Sequence, residues 1–172
     1  ASHGARGLLG VGFDLHPDNP RFAPMREEFL QLYAANICRH SRPFPGILDL
    51  LAELEARQLK WGVVTNKPAC FTEPLLSILD LAERAACIVS GDTCPQPKPH
   101  PAPMLAAAEL CGATPAQCLY LGDAERDIEA ARAAAMPALV AAWGYLDAAD
   151  QPDTWGALAE IRHPAETLDY LA

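Results

Sequence analysis

The sequence predicts an α/β fold, a parallel β-sheet flanked by helices, preceded by a separate helical subdomain. Three observations lead there. After residue 40, short apolar runs alternate with amphipathic stretches. Those runs lack polar-apolar alternation, the pattern of strands buried on both faces, and such strands belong to parallel sheets covered by helices. Residues 1–40 show no such rhythm.

Taken in order, Arg21 to Ile37 is a charged helix with Phe22, Met25, Phe29, Leu32 and Tyr33 at near-helical spacing, preceded by a loop from Asp14 to Pro20. The turn Arg42-Pro43-Phe44-Pro45-Gly46 leads into a helix over 47–57, with Leu48, Leu51 and Leu54 on one face. Residues 60–66, KWGVVTN, form a strand. A helix over about 70–79, a strand over 87–92 and a helix from the prolines near Pro101 to Gly112 follow. Next come the strand 118–123, a helix over 125–135 and the strand PALVAAW. A loop through Trp155, a short strand AEIRH and a last helix over 164–171 complete the series. The domain boundary falls at residues 40 and 41: 1–40 helical, 41–172 the α/β core.

Composition narrows the function. The 172 residues are 51% hydrophobic and 20% charged, enough for one globular core. No apolar run reaches the roughly 20 residues of a membrane span, and the first residues lack the basic and apolar regions of a secretory signal. The expected location is the cytoplasm. A net charge of −9 with scattered Lys and Arg argues against a sequence-independent grip on nucleic acid. None of the six cysteines forms a C-x-x-C pair, so reduced, small core residues are expected, and no neighbouring sequence supports a catalytic Cys–His pair. The five histidines lack ligand spacing; the three tryptophans are expected to pack against core or loop edges.

In open parallel sheets ligands collect outside the carboxyl ends of the strands. That rule selects Thr65, Asn66 and Lys67, then Gly91 and Asp92, then Gly122 and Asp123. Asp123, with Asp127 four residues on, can offer oxygen donors to a hard cation such as Mg²⁺, or Asp123 can cap the following helix. Thr65-Asn66 supplies a hydroxyl and backbone amides suited to a phosphate oxygen, or forms an ordinary turn. Lys98, in PQPKPHPAP, is a point charge on a proline-stiffened loop, fit for an anion or a carboxylate, or simply solvated.

The order threonine, lysine, paired aspartates at successive strand ends resembles the haloacid-dehalogenase superfamily of phosphatases. VVTNKP resembles its second motif with Thr65, KPHPAP its third with Lys98, and GDAERD its fourth with Asp123 and Asp127. FPGILDLLAELEARQLKWGVVTNKP and YLGDAERDIEAARAA are similar to the phosphoglycolate phosphatase branch. ASHGAR, HPDNPRFAPMREEFLQLY, FTEPLLSILDLAERAA and WGY are similar to N-acetylmuramic acid 6-phosphate phosphatases. The resemblance implies a Rossmann-like core with 1–40 as part of a helical cap that chooses the substrate. It implies a phosphomonoester hydrolase for a small phosphorylated acid or sugar, with Mg²⁺ as cofactor. Thr65, with Asn66, would hold a phosphoryl oxygen, Lys98 would offset the charge of nucleophile and phosphate, and Asp123 with Asp127 would hold the metal.

One departure matters. The family's first motif, Asp-x-Asp-x-Thr, carries nucleophile and general acid/base on a first central strand, and no Asp-x-Asp occurs in these 172 residues; GFDLHPDN has Asp14 and Asp18 in another spacing. The expectation is a truncated chain that lacks this strand, binds the cation less well and is inactive alone. A pseudophosphatase that binds without turnover is the competing reading, and a dehalogenase of the same superfamily is disfavoured by KPHP and GDAERD. Ala124, where relatives carry a second aspartate, implies a change of polarity around the site.

Overall fold

The structure, a computed structural model, describes residues 4–171. The chain divides into two compact units, Ala1–Ser41 and Arg42–Ala172.

The first unit holds α1 (Gly4–Phe13) and α2 (Phe22–Ala35), which contact each other. α1 is absent from the sequence expectations because its run GARGLLGVGF carries several glycines, each unfavourable in a helix interior. In α2 Phe29 and Tyr33 stack with ring centroids 6.4 Å apart. The expected apolar face of α2 is not a buried one: no α2 residue is buried and Leu32 is exposed.

The second unit alternates α3 (Ile47–Ala56), β1 (Gly62–Val64), α4 (Ala69–Ile78), β2 (Cys87–Val89), α5 (Ala102–Cys111), β3 (Tyr120–Gly122), α6 (Glu125–Ala133), β4 (Ala138–Ala141) and β5 (Ala159–Ile161). Short 3₁₀ turns lie at Pro115–Gln117 and Pro152–Thr154, and the expected last helix is also 3₁₀, Pro164–Tyr170, its His163 Nδ1 accepting from Ala165 N. α3 starts after Gly46, whose φ of +84° is costly for any residue with a Cβ. Leu50 and Leu51 are its buried residues; Leu48, expected on the buried face, is exposed.

Every strand pair is parallel, in two ladders: β1 beside β2, and β4 between β3 and β5. The strands are shorter than the apolar runs because the chain turns at their tips: Thr65 N still reaches Val89 O at 2.9 Å, but Thr65 Oγ1 then accepts from Lys67 N. Only β4, among the described strands, is buried at every position, so burial on both faces is a property of the centre of one ladder. Around it Met104, Ile128, Ala130, Ala131, Val140 and Trp155 form one core cluster, to which Val64 of β1 also packs. Leu51, Leu76 and Leu81 make a second cluster with Val63 and Ile88 on the β1–β2 ladder.

Candidate active site at the strand tips

At the tip of β1, Asn66 uses its whole side chain to hold a distant loop. Its Oδ1 accepts from Lys98 N at 3.0 Å, and its Nδ2 donates to Lys98 O at 2.8 Å. A two-point amide bond of this kind fixes both position and direction of the clasped backbone. The neighbouring loop closes in as well: Gly91 N donates to Lys67 O at 2.8 Å, and a Cβ on Gly91 would stand 2.2 Å from Asn66 O. Only glycine permits that approach.

The latch delivers Lys98 into the interior. Its side chain is 6% exposed, and Nζ lies 2.8 Å from each of Val64 O, Tyr120 Oη and Asp127 Oδ1. The ammonium has three protons and meets three oxygens here. Tyr120 Oη also donates to Val64 O at 3.1 Å, so a lysine and a phenol from different elements share one carbonyl of β1. Burial lowers the Lys98 pKa, opposed chiefly by the Asp127 charge. Burial first, and then Asp127 and Asp123, hold the Tyr120 phenol well above its ordinary value, so it stays a neutral donor.

At the tip of β3, a Cβ on Gly122 would stand 2.4 Å from Asp127 Cβ, so the glycine admits the α6 aspartate to the strand end. Asp127, in the first turn of α6, is buried and paired with Lys98. Asp123 is not the cap of α6. The N-cap is Ala124, with no side-chain bond, while Asp123 Oδ2 accepts from Tyr145 N at 2.8 Å and its Cβ abuts Gly144. The helix-cap alternative therefore fails for Asp123, whose carboxylate ties the loop after β4 to the tip of β3.

The structure thus joins Lys98 to Asp127 directly and Asn66 to Lys98 through its backbone, with Asp123 immediately ahead of the same helix. Thr65 lies next to Asn66, and its hydroxyl oxygen accepts from Lys67 N at 3.1 Å. Sequence reasoning misses Tyr120, Gly144 and Tyr145. A tyrosine inside an otherwise apolar strand, three residues before Asp123, is the signal that could have found the first. No group of three or more His, Cys, Asp or Glu side chains converges as a metal cage among the described residues. No described helix is long and apolar enough to cross a membrane.

Known proteins resemble the chain in sequence and in fold. The family model for haloacid dehalogenase-like hydrolases matches residues 13–141. The chain is 41% identical over 170 residues to an N-acetylmuramic acid 6-phosphate phosphatase of Pseudomonas aeruginosa, covering 99% of this chain and 75% of the relative. It is 47% identical over 163 residues to a phosphoglycolate phosphatase of Xylella fastidiosa, covering 95% and 71%. Among solved structures it matches one described as a predicted phosphoglycolate phosphatase from Haemophilus somnus, with a TM-score of 0.84 at 26% identity, over 98% of this chain and 75% of that one. With these matches spanning most of its length, the chain belongs to the haloacid dehalogenase-like hydrolase family.

Proposed function

We propose that the strand tips form the phosphate and cation side of a phosphomonoester hydrolase acting on a small phosphorylated acid or sugar. The observation that carries this reading is Lys98, locked by Asn66 and drawn 2.8 Å from Asp127 between the tips of β1 and β3. A buried lysine is costly, and it is held here beside carboxylates at the edge where open α/β sheets bind ligands. The relatives' names supply the candidates: 2-phosphoglycolate and N-acetylmuramic acid 6-phosphate. Residues 1–40 serve as part of a cap and 41–172 as the core that carries the site.

Thr65 Oγ1 and the backbone amides at Asn66 hold a phosphoryl oxygen, and Lys98 balances its charge. Asp123 and Asp127 are the cation ligands. Their oxygen-only donor type fits Mg²⁺, and each has one oxygen engaged, Asp123 Oδ2 by Tyr145 N and Asp127 Oδ1 by Lys98, which leaves Asp123 Oδ1 and Asp127 Oδ2 as the donors. Bound Mg²⁺ would supply positive charge against the phosphate and the entering nucleophile. Lys98, with three oxygens about it, acts chiefly by orienting Asp127 and by fixing the positive charge at the site.

No Asp-x-Asp occurs in the 172 residues, so the chain by itself does not turn over a phosphomonoester. The same observation favours a second reading, phosphate binding without chemistry. Phosphate release with Mg²⁺ separates them, measured on the chain alone and on a fusion that places the Asp-x-Asp-bearing segment of a relative ahead of Ala1. The reading expects release from 2-phosphoglycolate or N-acetylmuramic acid 6-phosphate by the fusion only. A folded fusion that releases phosphate from no member of a phosphomonoester panel overturns it.

A further inference from the structure

The other ends of the strands gather sulfur. Cys87 opens β2, Cys111 closes α5, and Cys118 stands two residues before β3. Cys111 Sγ lies 3.4 Å from Cys87 Sγ, with both thiols free, while Cys118 Sγ faces Thr114 O at 3.4 Å. The Cys87 sulfur rests on the backbone of β1: a Cβ on Gly62 would stand 2.4 Å from it. On the other side, Lys60 Nζ donates to Cys111 O at 2.8 Å and holds the end of α5. Two sulfurs held 3.4 Å apart need approach by only about 1.4 Å to reach the bonded distance of about 2.05 Å.

We propose that Cys87 and Cys111 are an oxidisable dithiol, closed to a disulfide by hydroperoxides and reopened by a dithiol reductant. The inference is independent of the phosphatase reading. Cys87 is buried, and burial together with the neighbouring Cys111 thiol raises its pKa, so it persists as a thiol. Cys111 is partly exposed and reacts first. Its sulfur attacks one peroxide oxygen, the O–O bond breaks, the departing oxygen takes the proton given up by the Cys111 thiol and leaves as an alcohol or water, and Cys111 becomes a sulfenic acid. Cys87 sulfur then attacks Cys111 sulfur; the S–S bond forms, the S–O bond breaks, and the hydroxyl departs with the Cys87 proton as water. Two thiols and one hydroperoxide thus give one disulfide, one alcohol and one water.

The bond joins residues 24 apart and closes a ring that contains the whole Lys98 loop. It leaves the Lys98 contacts untouched, because the sulfurs sit at the start of β2 and the end of α5 while those contacts lie beyond the other ends of the strands. Its effect is to restrict the unfolded chain, raising the melting temperature by about 5–10 °C.

The test treats the 172-residue chain with hydrogen peroxide, isolates the monomer and alkylates it in denaturant. Cleavage after glutamate, at Glu83, Glu109 and Glu125, puts Cys87 and Cys111 on separate peptides for mass spectrometry. The expected product is a Cys87–Cys111 link with loss of about 2 Da and a raised melting temperature that dithiothreitol reverses. Cys118→Ser should retain the link and Cys111→Ser should lose it. Six alkylated thiols, a link from Cys111 to Cys118 or Cys94, Cys111 arrested as sulfinic acid, or a link without the thermal shift would each overturn the proposal. The unsubstituted chain alone decides the matter should Cys111→Ser fail to fold.

Discussion

Leu139 and Val140 of β4 are completely enclosed, whereas Gly62 of β1 is exposed and Val63 and Val64 are only half-buried. The ladder β3–β4–β5 has an apolar core on which α6 and Trp155 close. The ladder β1–β2 reaches that core through α5, and at its tip through Lys98 and Tyr120, which meet on Val64 O. Hydrophobic area therefore anchors one half. The other has its own apolar cluster and a fully buried Val89, and it is joined to the first by the packing of Val64 and α5 and by charge-assisted hydrogen bonds of Lys98, a residue that is also proposed to serve the chemistry.

The largest loss is expected at Lys98. Lys98→Met leaves the Asp127 carboxylate buried without its counter-charge, at a cost of about 3–5 kcal/mol measured by urea denaturation. The two halves differ next in what a truncation costs. Leu139→Ala should lose about 2–5 kcal/mol, since a fully buried side chain leaves a cavity. Val63→Ala on the open ladder should lose only about 1 kcal/mol. Equal costs would mean that Val63 is as tightly packed as Leu139.

Gly91→Ala tests the approach of the loops at the tip of β1. Its Cβ would meet the Asn66 carbonyl, a backbone atom that cannot swing aside, and a loss of about 1–3 kcal/mol is expected, with faster hydrogen exchange at the Gly91 amide. The smallest effect lies on the surface. Hydrogen bonds from Arg84 first, and then Trp61, lower the Glu55 pKa from its ordinary value of 4.5. A depressed folded pKa gives stability that is present above the unfolded value and is lost as pH falls through the folded one. The difference between the native chain and Glu55→Gln should accordingly be seen near neutrality, shrink below about pH 4.5 and weaken with salt.

Much of the architecture is legible in the sequence because it is local. Apolar runs between amphipathic stretches mark strands and helices, Gly46 and Gly112 mark helix boundaries, and the strand-end rule selects Thr65 and Asp123 before any coordinate is known. The parts that escape depend on distance along the chain. Asn66 clasps Lys98 across 32 residues, and Tyr120 reaches Val64 across 56; no periodicity records either pairing. Asp123 shows the same limit. Its position before a helix suits a cap equally well, and only the fold brings Tyr145 N to its carboxylate. In α3 Leu51 and Leu54 face the apolar cluster as expected, and the miss is Leu48 alone: the burial of Leu50 beside Leu51 follows from where the helix docks, which its own sequence does not state.

The most direct measurement of the claim that Lys98 and Asp127 join the two ladders as one unit is a double-mutant cycle. The chain, Lys98→Met, Asp127→Asn and the double variant would be unfolded in urea under the same conditions. The double variant should cost little more than the worse single one, a coupling of about 2 kcal/mol or more. Strictly additive losses would contradict the claim, since the lysine and the aspartate would then stabilise the protein separately.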